Sequence, residues 1–302
     1  MTDLLYTDPE SEGVRLDVFL TGVYPAHSRS YFTKLIKDGN VLVDGKQEKA
    51  GVLLKADQEI SVDFPEDVPL EVLPENIPLD IVYEDGDVIL VNKPKGMVVH
   101  PAAGHTGGTL VNALLYHCND LSGINGVLRP GIVHRIDMDT TGIVIACKND
   151  ASHKKIAGQL KAHSITRAYY ALVHGGFTED SGTIDLPIGR DPKDRKKMAV
   201  RENGKNAVTH YEVVTRYQGY TLLRMKLETG RTHQIRVHMA HEGHPLAGDP
   251  LYGVKKEKIK STGQCLHAYL LGFEHPSSGE YMEFSTPLPE EFRKILEGLK
   301  PL

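Results

Sequence analysis

The chain has 302 residues and a formal net charge of −5 at pH 7, with 40% hydrophobic and 25% charged residues. This length allows one sizeable catalytic domain and one small module, and the composition excludes a disordered or low-complexity chain. No stretch approaches the roughly 20 apolar residues of a membrane span, and the N-terminal residues lack the basic start and apolar core of a signal peptide. The cysteines are scattered and form no CxxC pair, so we expect a cytoplasmic protein with reduced thiols.

The negative net charge hides an uneven distribution along the chain. Nine acidic residues and no Lys or Arg occur between Asp63 and Asp87, whereas seven basic and three acidic residues occur between Arg190 and Lys205. A second basic stretch, with four lysines, covers residues 255–260. Basic runs also occur on ordinary solvated faces, so this pattern permits RNA binding without demonstrating it.

Residues 12–62 are predicted to form a small module. Ser28 can cap a helix that ends at Gly39, and a tight turn at Asp44-Gly45 then joins two short strands. The apolar face of the helix is predicted to contain Phe32, Leu35 and Ile36. The basic residues expected to bind RNA phosphates are Arg15, Arg29, Lys34 and Lys37. A structural cap without RNA contacts is the alternative.

Residues 63–78 are predicted to be an extended acidic linker. The segment contains four prolines, Pro65, Pro69, Pro74 and Pro78. Proline removes a backbone donor and fixes φ, so neither a helix nor a central strand is expected here. The linker separates the small module from a main domain over residues 79–302.

In the main domain, strands follow one another without a regular alternation of helices. Buried strands are predicted over 88–92 and 143–147, a helix over 151–162, and further strands over 169–173, 207–215 and 220–227. This order argues against a doubly wound parallel sheet. Neither GxGxxG nor P-loop spacing occurs, so the sequence predicts no nucleotide cofactor.

The segment before the second buried strand is the first candidate for chemistry. It reads His134-Arg-Ile-Asp-Met-Asp-Thr-Thr-Gly142 and follows Pro130 and Gly131, which is typical of a loop held over a pocket. Asp137 and Asp139 are candidates for a carboxylate pair in acid–base or metal chemistry. Turn or capping roles are the alternative.

Residues 229–238 form the second candidate. Thr232 is predicted to cap a helix that runs toward Gly243, with Arg231 and Arg236 near its start, where they could face an anionic ligand or a catalytic carboxylate. The buried side of this helix is predicted to contain Ile235 and Met239. A zinc site must also be considered, although no HExxH or cysteine pair accompanies its possible ligands, His233, His238, His241 and His244. A third cluster, Arg167-Ala-Tyr169, is unremarkable by itself.

These three clusters resemble the motifs of one enzyme family. Residues 134–142 resemble the His-Arg-Leu-Asp-x-x-Thr-Ser-Gly signature of the RluA/RluD family of pseudouridine synthases. Two residues of this segment, Ile136 and Thr141, are conservative departures from the signature, and Arg167 in the next motif is a third. Arg167-Ala-Tyr169 resembles its Lys-x-Tyr motif. Gly230-Arg-Thr-His-Gln-Ile-Arg-Val-His238, followed by Gly243-His-Pro-Leu-Ala-Gly-Asp-Pro-Leu-Tyr-Gly253, resembles its third motif. Lys93 to His100 and Leu266 to Ala268 are also similar, and the N-terminal module resembles an S-four-type RNA-binding domain.

The resemblance implies a fold, an activity and a partner. The expected fold is α+β, with a mixed, mainly antiparallel central sheet flanked by helices and loops, plus a small N-terminal α/β RNA-binding module. The expected activity is isomerisation of specific uridines in large-subunit ribosomal RNA, with no metal and no organic cofactor. The expected partner is that RNA or its assembly intermediates. We expect a monomer without a membrane partner, and a transfer RNA target stays open.

The resemblance also implies residue roles. Asp137 would attack the ribose or remove a ribose proton, and Arg236 would form the salt bridge that orients it. Tyr169 would stack on the base and accept, directly or indirectly, the proton lost from C5. Arg135 would fill the gap left by the flipped nucleotide. The other residues expected to bind substrate are His134, Thr140, Arg231, His233 and Gln234.

Two other classes of protein stay open at this point. A non-catalytic ribosome-binding or assembly factor could use the same fold, although it would have no chemical need for Asp137, Tyr169 and Arg236. A metal-dependent hydrolase could use Asp137, Asp139 and the histidines between residues 233 and 244.

Overall fold

The structure is a computed structural model that describes residues 2–25, 27–64, 72–101, 105–124 and 129–302. The chain divides into two compact units, Met1–Pro69 and Leu70–Leu302. The division falls within the segment predicted to be a linker, whose first two prolines, Pro65 and Pro69, lie outside the described residues. No helix in the described parts is long and apolar enough to cross a membrane.

The first unit is a small α/β domain built on an antiparallel sheet. Its elements are β1 (Thr2–Tyr6), α1 (Leu16–Val23), α2 (Arg29–Lys37), β2 (Val41–Val43), β3 (Lys46–Gln47) and β4 (Glu59–Asp63). Among the described residues its four strands follow the order β1-β4-β2-β3. Its core contains Leu16 and Leu20 of α1 and the buried face of α2.

The predicted helix and hairpin of this unit are confirmed. Ser28 Oγ accepts the backbone N–H of Tyr31 at the start of α2. The buried residues of the helix are Phe32, Leu35 and Ile36. Asp44 and Gly45, between β2 and β3, have φ values of 50° and 73°, as the tight two-residue turn of a hairpin requires.

The second unit is an α+β domain around one large sheet. Its strands are β5 (Ile81–Glu84), β6 (Val88–Lys93), β7 (Thr141–Cys147), β8 (Thr166–His174), β9 (Ser181–Asp185), β10 (Ile188–Arg190), β11 (Met198–Val200), β12 (Val208–Tyr217), β13 (Tyr220–Leu227), β14 (Leu266–Glu274) and β15 (Tyr281–Ser285). Its helices are α3 (Leu110–His117), α4 (Asp150–Lys161), α5 (Gln234–His241) and α6 (Glu290–Glu297). The predicted buried strands correspond to β6 and β7, the predicted helix to α4, and the later strands to β8, β12 and β13.

The sheet of the second unit is mixed and mainly antiparallel, as predicted. In the described residues it has nine strands in the order β5-β6-β7-β14-β8-β13-β12-β9, with β15 added to β14. Neighbouring strands are antiparallel except β7 and β14, which are parallel where His267 pairs with Thr141. The doubly wound parallel arrangement is therefore excluded for this sheet.

Strands β6 and β7 lie in the most deeply buried part of the sheet. One face packs under α3 and contains Ile89, Val91, Val144 and Ala146. The other face packs against Ile156 of α4 and contains Val88, Leu90, Ile143 and Ile145. Because β7 is buried on both faces, the loop that ends at Thr140 is attached to a rigid part of the fold.

The last residues of the predicted linker lie against α3. Asn112 Nδ2 donates a hydrogen bond to the Leu73 carbonyl oxygen at 2.7 Å, and the Glu75 carboxylate accepts the backbone N–H of Gly108 at 3.0 Å. Asn112 also completes a capping box with Thr109 at the start of this helix. From Val72 onward the chain therefore belongs structurally to the second unit.

Candidate active site

A cavity of about 540 Å³ opens in the second unit. Its wall contains all nine main-domain residues for which a catalytic or substrate-binding role was predicted: Asp137, Tyr169, Arg236, His134, Arg135, Thr140, Arg231, His233 and Gln234. These residues come from the loop before β7, from β8 and from the segment that begins α5. Three motifs that are distant in sequence thus meet in one cavity.

The loop that holds Asp137 is fastened by a buried lysine. The Lys93 ammonium donates hydrogen bonds to the carbonyl oxygens of Pro94, Met97 and Met138, at 2.8, 2.8 and 2.9 Å. Burial lowers the pKa of Lys93 to about 7, although the charges of Asp139 and Asp137 act in the opposite direction. The resemblance included Lys93 in a similar segment, but no role was predicted for it.

The end of the loop depends on a glycine. Gly142 has a φ of 113°, and a Cβ at this position would overlap the Ala268 carbonyl group of β14. Only glycine fits where β7 and β14 approach each other in this conformation. The preceding Thr141 Oγ1 forms a 2.8 Å hydrogen bond with His267 Nδ1 of β14. Both contacts fix the position at which the loop enters the sheet.

Asp137 forms an ion pair with Arg236, as predicted from the resemblance. The Asp137 carboxylate accepts a hydrogen bond from Arg236 Nη1 at 2.9 Å. Arg236 Nε and Nη2 donate to the two carboxylate oxygens of Asp249 at 2.7 and 2.9 Å. The Arg236 and Asp249 side chains are 5% and 0% exposed, and that of Asp137 is 15% exposed. The guanidinium is therefore held by one carboxylate while it contacts another at the cavity wall.

The charges in this group stabilise one another. Burial by itself lowers the pKa of Arg236, but the hydrogen bonds and charges of Asp249 and Asp137 outweigh burial and raise it. Burial raises the pKa of Asp249, but the hydrogen bonds from Arg236 outweigh it and the pKa is lowered. No role was predicted for Asp249, although it lies in the segment from Gly243 to Gly253 that resembles the family's third motif.

His233 lies on the other side of the Asp137 carboxylate. Its Nε2 is 3.8 Å from Asp137 Oδ1, and its Nδ1 forms a 2.8 Å hydrogen bond with the Tyr252 hydroxyl. Burial lowers the pKa of His233, and this effect exceeds the opposing charge of Asp137. The contact therefore joins a neutral imidazole to a carboxylate, rather than two full charges.

The prediction that Thr232 caps the helix over this segment is wrong. The residue that precedes the first helical residue is His233, which has a φ of 58° and makes no side-chain capping bond. Because His233 occupies the cap position, Thr232 lies one residue before it. The helix itself is confirmed as α5, with Ile235 and Met239 buried.

The side chain of Gln234 organises the turn instead. Its Oε1 accepts hydrogen bonds from the Arg231 backbone N–H at 2.9 Å and from Thr229 Oγ1 at 2.8 Å. Its Nε2 donates to the Val208 carbonyl oxygen at 2.9 Å. Gln234 lines the cavity, but these groups are occupied by the protein, so its predicted role in substrate binding stays a prediction.

Tyr169 lies on β8 and is 7% exposed. Within the described residues its hydroxyl has no protein hydrogen-bond partner, although the ring lines the cavity. Burial raises the pKa of Tyr169; the Arg167 charge opposes this effect and the Asp137 charge adds to it. The phenol is therefore protonated at neutral pH and available to a bound ligand.

Arg167, the position where the sequence departs from the family's lysine, also lines the cavity. Its Nη2 donates to the Glu228 carbonyl oxygen at 2.9 Å, while its buried Nε has no hydrogen-bond partner among the described residues. A Cβ at Gly230 would lie 2.5 Å from Arg167 Nη1. The absence of a side chain at position 230 thus leaves room for the Arg167 guanidinium.

Four further residues with predicted roles differ in their availability to a substrate. His134 Nε2 accepts the Ile145 backbone N–H at 3.1 Å, and burial, assisted by the Arg167 charge, lowers its pKa to about 3. The buried Thr140 hydroxyl accepts a hydrogen bond from Gln264 Nε2 at 3.1 Å. Arg231 Nε donates to the Asn206 carbonyl oxygen at 2.8 Å. Arg135 is exposed at the edge of the cavity.

Three of the candidate ligands of the alternative metal site, Asp139, His238 and His244, do not line the cavity. Asp139 packs against Gly263 and does not line the cavity, and burial raises its pKa. His238 bonds to Thr209 Oγ1 at 2.9 Å, and His244 to the His174 carbonyl oxygen at 2.9 Å. In the described part of the chain, the three potential metal ligands that do cluster are Glu84, His117 and Cys118.

In the first unit, the four basic residues predicted to bind RNA fall into two pairs. Arg15 and Arg29 both donate to the buried Asp17, at 3.0 and 2.9 Å, and about half of each arginine side chain stays exposed. Lys34 and Lys37 are exposed on α2. The two arginines therefore also stabilise the unit, whereas the two lysines are available to a partner.

Comparison with known proteins identifies both parts of the chain. Residues 87–241 match the RNA pseudouridylate synthase family, and residues 14–60 match the S4 domain. The chain is 54% identical to an uncharacterized RNA pseudouridine synthase, YlyB of Bacillus subtilis, over 96% of both chains. It is 45% identical to ribosomal large subunit pseudouridine synthase D of Pseudomonas aeruginosa, over 96% of this chain and 93% of that protein. Human RNA pseudouridylate synthase domain containing 1 superposes with a TM-score of 0.61 at 26% identity, over 79% of this chain and 92% of that one.

Proposed function

The chain belongs to the RNA pseudouridylate synthase family and is an isomerase that acts on RNA, and we propose that it isomerises specific uridines of large-subunit ribosomal RNA with Asp137 as the essential carboxylate. The observation that supports this role of Asp137 is its position in the cavity wall, where it pairs with Arg236. Arg236 in turn forms an ion pair with the buried Asp249. The substrate is inferred from the name of the Pseudomonas aeruginosa relative.

The reaction breaks the bond between ribose C1′ and uracil N1 and forms a bond between C1′ and C5. N1 gains a proton and C5 loses one, so no atom is added and no electron is transferred. Asp137 either attacks C1′ or removes a ribose proton, and both routes release the uracil for rotation. Asp249 binds Nε and Nη2 of Arg236 and so keeps Nη1 directed at Asp137. The carboxylate of Asp137 is therefore oriented before substrate binds.

The cavity accepts a uridine that has left the base stack. An enzyme that acts on the glycosidic bond must extrude its nucleotide, and this costs a few kcal/mol of stacking energy. A cavity of about 540 Å³ lies within the usual size range of small-molecule sites. Arg135, exposed at the cavity edge, fills the gap that the nucleotide leaves in the RNA.

Tyr169 takes part in the final proton transfer from C5. Because its hydroxyl is protonated at neutral pH, it accepts the C5 proton only while it gives its own proton to water or to an oxygen of the bound RNA. Its ring stacks on the uracil in the cavity.

Tyr169→Phe separates these two contributions, because the phenyl ring keeps the stacking and loses the hydroxyl. We expect this variant to release no tritium from C5-labelled uridine, yet to process RNA that contains 5-fluorouridine, which needs no final deprotonation. Equal loss of both reactions in a folded variant would contradict the proton-transfer role.

The N-terminal domain, over residues 12–62, adds a second RNA-binding surface. Residues 63–78 join it to the catalytic domain over residues 79–302, and from Val72 onward this segment already packs with that domain. The exposed Lys34 and Lys37 of α2 support this role, since unpaired cations bind phosphates. The protein acts as a monomer in the cytoplasm, where its ribosomal RNA substrate is assembled.

The substrate is tested by mapping pseudouridines in ribosomal RNA from cells with the gene, without it, and complemented with the Asp137→Asn variant. We expect specific large-subunit sites to lose pseudouridine in the second and third strains. An unchanged map of large-subunit RNA, with sites lost in transfer RNA instead, would show that the substrate assignment is wrong.

A further inference from the structure

Strands β10 and β11 and the residues that connect and follow them, 188–205, form a structure that we call the basic hairpin. Its basic residues are Arg190, Lys193, Arg195, Lys196, Lys197, Arg201 and Lys205. Its acidic residues are Asp191, Asp194 and Glu202. The chain as a whole is acidic, so this concentration of positive charge is local.

Two of the acidic residues are occupied by the turn of the basic hairpin. Asp191 Oδ1 accepts the backbone N–H groups of Lys193 and Asp194 at 2.7 and 3.2 Å. Asp194 Oδ1 accepts the backbone N–H of Lys196 at 3.0 Å. These carboxylates therefore stabilise the loop. The backbone hydrogen bonds lower the pKa of Asp191, and the charges of Lys193 and Lys197 add to this effect.

Across the described residues, none of the seven basic side chains of the basic hairpin forms a salt bridge. Elsewhere in the second unit such pairs are common, and examples are Lys95–Glu291, Lys148–Glu84 and Arg216–Asp180. Arg190 and Arg201 donate hydrogen bonds to carbonyl oxygens of the hairpin itself, and Lys197 lies over the Tyr252 ring. Cations without a salt-bridge partner, grouped on one short hairpin, indicate a partner with several negative charges.

The other side of the basic hairpin is apolar and packs on α5. Ile188, Met198 and Val200 form a cluster with Val237 of α5 and with Tyr252. Arg236, which pairs with Asp137, precedes Val237 in the same helix. The residue that follows the basic hairpin, Asn206, accepts a hydrogen bond from Arg231 in the cavity wall. The basic hairpin therefore lies next to the cavity.

Tyr252 connects the basic hairpin to the group around Asp137. Its hydroxyl accepts the Met198 backbone N–H at 2.8 Å and forms a 2.8 Å hydrogen bond with His233 Nδ1. In the tautomer that carries its proton on Nε2, the His233 imidazole accepts the Tyr252 hydroxyl proton at Nδ1 and directs its own N–H toward Asp137. The Tyr252 ring also faces the Arg236 guanidinium, whose centre is 5.1 Å from the ring centroid.

We propose that the basic hairpin binds phosphates of the RNA strand beside the uridine in the cavity, and that Tyr252 is a positioning residue that transmits this contact to His233 and Arg236. The inference rests on the proposed function, because it takes RNA as the substrate. Phosphates position a nucleic acid without reading its sequence. RNA bound to the basic hairpin would fix the position of β11, whose Met198 backbone N–H donates to the Tyr252 hydroxyl. Tyr252 would then hold His233 and Arg236 in place beside Asp137.

The binding surface is tested with the double variant Arg195→Gln/Lys196→Gln in the full-length enzyme. Both side chains are exposed, so the fold should be retained. Loss of two phosphate contacts should weaken binding of a ribosomal RNA fragment on the order of ten-fold. It should also reduce the slope of log affinity against log salt by about 1.4 to 1.8. The matched control is Arg293→Gln/Lys294→Gln on α6, which removes the same charges from an exposed helix and should leave the slope unchanged.

The positioning role is tested with Tyr252→Phe, which keeps the ring over Arg236 and removes the hydroxyl. We expect the single-turnover rate at saturating enzyme to fall about five-fold or more, while RNA affinity and its salt dependence stay as in the wild type. A merely structural role would lower the melting temperature and leave the saturating rate of the folded enzyme unchanged.

Equal salt slopes in the hairpin and α6 variants, or an unchanged saturating rate in Tyr252→Phe, would overturn the corresponding part of the proposal. Both experiments begin with wild-type protein that forms pseudouridine in the RNA. A wild type that forms none contradicts the proposed function, whereas an active wild type with unaffected variants contradicts only this inference.

Discussion

At the scale of single residues, the central feature is a row of three charges, Asp249, Arg236 and Asp137. Asp249 is fully buried and uses both oxygens on Arg236, which leaves Nη1 for Asp137. A buried ion pair is costly to break, because the remaining charge loses its partner. The arrangement therefore stabilises one position of the Asp137 carboxylate rather than a range of positions.

Replacing Asp249 with Asn should lower the saturating rate of isomerisation by about 10- to 100-fold, because Arg236 is then free to shift and misplace Asp137. RNA affinity should change little, since Asp249 does not line the cavity. Single-turnover tritium release and filter binding measure the two quantities.

Asp139→Asn is the matched control for this change, because it makes the same substitution two residues from Asp137 but outside the cavity. We expect it to retain most of the activity. A large loss of rate in Asp139→Asn would instead support the carboxylate pair that the sequence allowed.

At the scale of elements, β7 and the preceding loop depend on a neutral histidine. His134 Nε2 accepts the Ile145 backbone N–H, and a protonated ring cannot do this. Its pKa falls from an ordinary value of 6.5 to about 3 in the folded protein. Between these values the unfolded chain binds a proton that the folded chain does not, so the free energy of unfolding decreases as the pH falls.

Through His134, the free energy of unfolding should decrease by at most about 1.4 kcal/mol for each pH unit between about pH 6 and pH 4. His134→Gln offers an acceptor that does not titrate, so its free energy of unfolding should fall less steeply over the same range. Urea unfolding of both proteins at several pH values measures the difference. Parallel pH profiles of the two proteins would contradict the prediction that His134 is neutral in the folded protein.

The elements that the sequence predicted well are those with a strong local pattern. The apolar runs of β6 and β7, the Ser28 cap of α2 and the Asp44-Gly45 turn all have local causes. The start of α5 was predicted incorrectly because a left-handed His233 and the hydrogen bonds of Gln234 depend on β12, which is remote in sequence. Asp249, Lys93 and Tyr252 received no role for the same reason, since their partners come from other parts of the chain.

At the scale of the whole molecule, the two units are expected to divide the work between RNA binding and chemistry. Deleting residues 1–69 removes the first unit and keeps the contacts of Leu73 and Glu75 with α3. Affinity for structured ribosomal RNA should fall and depend less on salt, because fewer phosphate contacts remain. The saturating single-turnover rate should change much less.

The full-length double variant Lys34→Gln/Lys37→Gln provides a second test of the same division, since it leaves the fold of the first unit unaltered. It should reduce the salt slope in the same direction as the deletion. Unchanged affinity in both proteins would mean that the first unit is a structural cap. A lost saturating rate in a folded truncation would mean that it helps to build the active site.

The role of Asp137 is tested most directly by the activity of Asp137→Asn on large-subunit ribosomal RNA labelled with tritium at C5 of uridine. The substitution keeps the size of the side chain and removes the charge that pairs with Arg236. We predict that tritium release falls by at least about 1,000-fold, while RNA affinity, which depends mainly on phosphate contacts, stays within about two-fold of the wild type. Multiple-turnover release at a rate within about ten-fold of the wild type, from correctly folded protein, would contradict the assignment of Asp137 as the essential carboxylate.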